Sequence, residues 1–360
     1  MAIGLPNIEI NFKNMAISAV NRSSRGIVAL LIEDDTDTTY ALKEYKTVTD
    51  IEPTKFTAAN VAYIKQVMAG GPSKVLVAPV SPMASTPLTD AIEVIGNKKY
   101  NYIGWAEGSS TQQADLVTYV KAQEAQKKTI KAVVYNTTAP DSMHVINFTN
   151  DSVTYADSGE TVTGEKYIPR LLGIFAGLPL TQSSTYMVLD DLASVAEPAD
   201  VEAAVNAGEL VLFNDDEQVR IARGVNSLVT YTTNVTESMS KIAVVEAMDL
   251  IRDDIYTTFK DSYLRKYKNK YDNQVLLLTA INAYFNTLAN EEVLDNENEN
   301  VAYIDVEAQR KAWLSIGKTE AAEWDDATVR IKAFRDTVFL AANIKILDAM
   351  ENFVFNITMK

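Results

Sequence analysis

The last residues of the chain alternate. Phe353, Phe355, Ile357 and Met359 are large and apolar, and Asn352, Val354, Asn356 and Thr358 between them are mostly polar. A repeat of two is that of a half-buried strand. Such a strand holds only when its backbone groups find another strand, so this stretch demands a sheet. The first residues make the same demand: Ile8, Ile10 and Phe12 alternate with Asn7, Glu9, Asn11 and Lys13. After Asn14 the phase slips to Met15, Ile17 and Ala19, as at a bulge. Terminal strands are usually blunted by charge or proline. Here Pro6 and Lys360 sit only at the tips. Two outcomes stay open: each end joins a sheet of its own domain, or it adds to a sheet of another molecule.

Between the ends, periodicity changes along the chain. Ile27–Ile32 is an apolar run, followed by the acidic turn Asp34, Asp35, Asp37 and a strand candidate over Thr39–Val48. The pattern predicts helices over Phe56–Ala69, Leu88–Ile95 and Gln112–Lys127. Strands are expected at Lys74–Ala78, Tyr100–Ala106 and Ile130–Tyr135. That rhythm, from about 73 to 149, reads as an α/β layer with parallel strands. Val145–Phe148 and Val153–Tyr155 are expected to form a hairpin around Asn150-Asp151, and Glu165–Gly177 a helix. Leu210–Asn214 and Gln218–Ala222 read as a second hairpin about Asp215-Asp216-Glu217. Ile242, Val245, Met248, Ile251, Ile255 and Phe259 form one face of a long helix, and Asn273–Ala289 repeats the theme. Two shorter helices, Val306–Ile316 and Ala327–Phe334, precede a strand-like Val338–Ile346 and a turn at Leu347–Met350.

Composition removes several functions. The 360 residues carry a formal net charge of −15, which argues against a nucleic-acid-binding surface as the main activity. No cysteine is present, so disulfide and thiolate chemistry are excluded. One histidine, His144, leaves little room for a His-based metal site or triad and reads as a surface or hairpin residue. No signal peptide opens the chain, and no apolar run approaches the roughly 20 residues that cross a bilayer. A chain made and kept in a cytoplasm, acting without lipid, is expected.

Motifs for chemistry fail on their details. Asp34-Asp35-Thr36-Asp37 lacks the glycine and the distal glutamate of a calcium loop, and reads as a solvated acidic turn. Gly70-Gly71-Pro72-Ser73-Lys74 follows a helix and precedes a strand, the reverse of a phosphate loop. No nucleophile elbow and no zinc-binding His pair occurs. No catalytic residue, cofactor or metal is assigned. One charge feature stands out: Lys260, Arg265, Lys266, Lys268 and Lys270 cluster in an acidic chain. They form either a solvated helix end or a patch facing an acidic neighbour, with Arg265, Lys266 and Lys268 the candidate charged interface.

Val219–Leu228, Lys241–Asp261, Tyr271–Leu288, Asp305–Gly317 and Val338–Thr358, taken together, resemble the sheath proteins of contractile phage tails and phage-tail-like bacteriocins, in the branch typical of Gram-positive bacteria. The resemblance covers most of the C-terminal 140 residues or so. It implies an α+β fold with an α/β portion: a core domain formed by both ends of the chain, an inserted outer region, and extended arms. The corresponding division is 1–24 (N-terminal arm), 25–205 (outer α/β region), 206–346 (core domain) and 347–360 (C-terminal linking strand). It further implies hexameric rings stacked helically around a tail tube, with the arms joining sheets of neighbouring copies. Ile8, Ile10, Phe12, Ile17, Phe353, Phe355, Ile357 and Met359 would then be the exchanged residues, and Val338, Leu340 and Ile344 part of the receiving sheet. Arg310 and Lys311 are the candidate tube contact. Expected partners are the chain itself, the tube protein, and baseplate and terminator proteins, with no nucleic acid and no membrane. Assembly is expected in a bacterial cytoplasm, ending in a virion tail or a released bacteriocin particle. The competing reading is a small-molecule-binding protein or enzyme built on 73–205, with its cleft at strand C-terminal ends. A surface-layer or adhesin protein is disfavoured by the missing export signal.

Overall fold

The computed structural model describes residues 19, 20, 22 and 24–359. The chain divides into two compact units: residues 23–253 with 346–360, and residues 1–22 with 254–345. The four N-terminal arm positions, Ile8, Ile10, Phe12 and Ile17, lie outside the described residues.

The larger unit is built on β1 (Ile27–Glu33), β2 (Lys43–Tyr45), α1 (Ala58–Ala69), β3 (Lys74–Val80), α2 (Pro87–Ile95), β4 (Tyr102–Trp105), α3 (Ser110–Ala125), β5 (Lys131–Tyr135) and β6 (Val145–Phe148). It continues through β7 (Ser152–Tyr155), β8 (Thr161–Thr163), α4 (Ile168–Gly177), β9 (Leu192–Val195), α5 (Val201–Asn206), β10 (Glu209–Leu210), β11 (Leu212–Asp215), β12 (Gln218–Ile221) and the start of α6 (Ile242–Thr258). A seven-stranded sheet of order β10-β6-β5-β4-β1-β3-β2 runs through it. All its pairs are parallel except β2 with β3. Parallel strands are covered on both faces, which is why they read as continuous apolar runs. Leu30, Ile32, Val75 and Val77 face one core, and Ala29, Leu31, Leu76 and Ala78 face the other. On the first side α1 and α4 approach closely at Gly70 and Gly173. A Cβ on Gly173 would overlap the Val67 carbonyl oxygen.

The helices and strands expected from 56 to 135 are present, with ends shifted by at most two residues. Of Thr39–Val48 only Lys43–Tyr45 pairs. The hairpin expected around Asn150-Asp151 does not form. β6 lies parallel beside β5, while β7 belongs to a separate β8-β7-β9 sheet. The reason is Asn150, whose buried amide substitutes for a strand: its Oδ1 accepts from Leu212 N at 2.7 Å, and its Nδ2 donates to the carbonyls of Leu212 and Ala196. The second expected hairpin does form, as β11 against β12. Position 205/206, expected as a domain boundary, lies inside this unit, where β10 pairs with β6.

Asp34 corrects the reading of a solvated turn. It is buried, and its carboxylate accepts from Thr36 N at 2.9 Å, Thr57 N at 2.8 Å and Asn60 Nδ2 at 2.7 Å. Burial pushes its pKa up, but these donors outweigh burial and lower it. The carboxylate fastens the loop after β1 to the start of α1.

The smaller unit contains α7 (Tyr271–Asn290), β13 (Val301–Ile304), α8 (Val306–Ser315), α9 (Asp326–Ile331) and β14 (Leu340–Asn343). Leu277, Ile281, Phe285 and Leu288 repeat at helical spacing along α7 and are buried. β14 pairs antiparallel with β13, Leu340 opposite Ile304. Among the described residues no helix is long and apolar enough to cross a membrane.

Candidate assembly site

The C-terminal segment carries a run of strongly exposed apolar side chains. Phe353 is 87 %, Phe355 69 %, Ile357 72 % and Met359 92 % exposed. Residues 352–359 adopt no regular secondary structure and make no strand pairing among the described residues. The rings of Phe353 and Phe355 stack 5.9 Å apart, as side chains two apart on one face do. Single exposed apolar residues are ordinary, but a contiguous row of them marks an interaction surface.

The row begins at an anchored point. Glu351 has only 8 % of its side chain exposed, between the free Met350 and the bare Phe353. Its Oε1 accepts from Ser183 Oγ at 2.8 Å and Thr185 Oγ1 at 2.7 Å. Its Oε2 accepts from Arg223 Nη2 at 3.2 Å and Nε at 3.3 Å. Three residues earlier, Asp348 pairs with Lys241 at 2.9 Å. Sequence reading missed Glu351, Arg223, Ser183 and Thr185, because nothing local ties positions 128 to 168 residues apart.

The expected receiving residues are placed as follows. Leu340 lies in β14, with Val338 and Ile344 flanking that strand, and all three are partly buried. Arg265, Lys266 and Lys268 are exposed just after a π-helical turn over Phe259–Tyr263. Asn269 donates to the carbonyls of Phe334, Arg335 and Thr337, bringing that loop beside residues 334–337. Arg335 thereby joins the basic cluster, as the sequence alone did not indicate. Arg310, expected to face a tube, is turned inward. It donates to the carbonyls of Ala321 (3.0 Å) and Trp324 and pairs with Asp326 at 2.8 Å. Lys311 points outward and pairs with Glu307 one turn earlier on α8.

His144 is not a surface residue: it is buried in an ionic layer at the N-terminal ends of the parallel strands. Lys131 Nζ lies 2.6 Å from Asp249 and 2.9 Å from Glu246 on α6. Arg25 also pairs with Glu246, and the Tyr102 hydroxyl donates to it at 2.5 Å. A cleft of about 540 Å³ opens beside the layer, lined in part by Lys121, Glu124, Asp141, His144, Asp249 and Arg252. It lies at the edge opposite to that where doubly wound sheets bind ligands. At the usual edge, Asp34 is fully engaged by backbone and Asn60. Neither site favours the small-molecule reading.

A family model for the phage tail sheath C-terminal domain matches residues 234–360. The fold is shared with a sheath tail protein from Desulfitobacterium hafniense: TM-score 0.68, 17 % identity, 83 % of this chain and 94 % of that one. It is shared over the full length of both chains with the anti-feeding prophage helical sheath in its contracted state: TM-score 0.71, 12 % identity. These likenesses define the class: a mixed α/β protein with the fold of contractile-particle sheaths. The tail sheath protein of Clostridium phage phiCD119 is 35 % identical over 99 % of both chains. The chain belongs to the phage tail sheath protein family.

Proposed function

We propose that copies of this chain polymerise as hexameric rings stacked around a tail tube, and that contraction of this sheath drives the tube through a bacterial envelope. The bare row Phe353, Phe355, Ile357 and Met359, in a chain related to a tail sheath protein along its whole length, carries the reading. Residues 352–359 add to a sheet of a neighbouring copy, where β14 with Val338, Leu340 and Ile344 offers an edge. The N-terminal residues Ile8, Ile10, Phe12 and Ile17 do the same. Each backbone hydrogen bond so gained is worth about 0.5–1.5 kcal/mol net, and each large apolar side chain buried about 1.5–3 kcal/mol. Residues 1–24 and 347–360 serve as arms. Such links persist while the bodies they connect rotate, so the free energy of contraction resides in the charged faces that change partners. Arg265, Lys266 and Lys268, with Arg335, form one such face. The extended lattice is a kinetically trapped state, and contraction uses no nucleotide, cofactor or catalytic residue.

Lys311, which is exposed where Arg310 is turned inward, is the better tube contact of the two. Baseplate and terminator proteins cap the cylinder, and assembly takes place in the bacterial cytoplasm without nucleic acid or membrane. Electron microscopy of the purified chain tests the reading: striated cylinders are expected. Discrete monomers at every concentration and ionic strength would contradict it.

A further inference from the structure

The residues between β14 and the bare row are mostly exposed, but Glu351 has only 8 % of its side chain exposed. Its four donor atoms come from two segments that are themselves fixed. Tyr186 N donates to the Ile221 carbonyl and Gly224 N to Thr185 Oγ1, tying the 183–186 loop to the end of β12. Ile242 N donates to the Gly224 carbonyl, tying that end to α6. Gly224 has no side chain to interfere: a Cβ there would overlap Ser184 Oγ. Charge-assisted hydrogen bonds to a carboxylate are about twice as strong as neutral ones, and the Arg223 fork adds direction. Beyond Glu351 nothing among the described residues holds the chain.

Parity gives this placement a consequence. In an extended segment, residues two apart share a face. Glu351 has the parity of Phe353, Phe355, Ile357 and Met359. A slip of one residue in an added strand turns its whole apolar set to the wrong face. An arm rooted at random would sample several registers, whereas an arm rooted at a fixed carboxylate presents one.

We propose that Glu351, gripped by Ser183, Thr185 and Arg223 of its own subunit, is a positioning residue that fixes the point and the face from which residues 352–359 enter a second copy of the chain. This rests on the strand-exchange reading above. The clasp stays with the donor subunit and specifies register without touching the acceptor.

The test compares full-length chain, Glu351→Ala, Arg223→Gln, the double variant, and a chain ending at Glu351. Growth of cylinders is followed by light scattering and their lattice by electron cryomicroscopy. Hydrogen exchange at residues 349–352 and thermal unfolding are measured on unassembled subunits. Both single variants should unfold at the native temperature, exchange faster at 349–352, and nucleate on the order of tenfold more slowly into irregular cylinders. The double variant should be no slower than either single one, because both remove one clasp. Native growth and lattice in both single variants, with no growth of the truncated chain, overturn the clasp and leave the strand-exchange reading standing. Normal cylinders from the truncated chain overturn the strand-exchange reading and the clasp together.

Discussion

His144 Nε2 lies 3.1 Å from Asp249 Oδ1, and the other ring nitrogen lies 3.3 Å from Glu124 Oε2. One imidazole therefore bridges two carboxylates, one on α6 and one on α3. With Arg25 and Lys131 the layer holds three basic groups against Glu124, Glu246 and Asp249, balanced only while His144 is protonated. Burial alone would lower its pKa; the carboxylates of Asp249 and Glu124, which face the two ring nitrogens and favour the protonated ring, prevail and raise it from 6.5 to about 9.

A raised histidine pKa gives stability that is complete below 6.5 and disappears as pH rises through about 9. Unassembled subunits should lose on the order of 2–3 kcal/mol between pH 6.5 and 9.5 through this group. His144→Gln should flatten that slope in urea titrations at the two pH values. An equal slope in both proteins would remove His144 from the account. On the acid side, Glu246 is raised by burial but lowered further by Lys131, Arg25 and Tyr102, to about 2. Its contribution is present above 4.5 and lost as pH falls towards 2.

Lys131 should be far less replaceable than a surface lysine. Lys131→Ala strands Glu246 and Asp249 in a buried layer, a loss of about 3–5 kcal/mol. Lys311→Ala removes an exposed pair with Glu307 and should leave the unfolding midpoint unmoved. Chemical denaturation of both variants checks the contrast.

Gly173→Ala tests the close contact of α1 and α4. The added methyl meets the Val67 carbonyl, so the helices must separate, and overpacking of this kind costs about 1–3 kcal/mol. Gly71→Ala, whose Cβ would meet nothing within 4 Å, is the control for backbone strain at its φ of 78°. A smaller loss for Gly173→Ala than for the control would show that the helices have slack.

Phe355→Asp should block assembly and leave the subunit fold untouched, because the ring is 69 % exposed and touches little but Phe353. Circular dichroism should match the native chain while sedimentation shows only monomers. A drop in thermal stability would mean that the arm packs on its own body.

What was legible in the sequence was what neighbouring residues decide. Ile242, Val245 and Ile251 recur at helical spacing, and the long helix is there. Phe353, Phe355 and Ile357 alternate, and they stand exposed on one segment. What was not legible depends on partners distant in sequence. Asn150 looked like a turn residue and is instead a buried bridge to Leu212. His144 looked peripheral until α6 supplied Asp249, 105 residues later. Arg310 read as a free cation because its acceptors, the Ala321 and Trp324 carbonyls, carry no sequence signal. The basic run at 265–268 was visible, but its fourth member, Arg335, comes from another loop held by Asn269.

The most direct measurement is electron microscopy of a chain ending at Glu351, under conditions where the full chain polymerises. Folded, single subunits without any cylinders are expected. Native-looking cylinders from the shortened chain would mean that the terminal row is dispensable and that copies are joined in some other way.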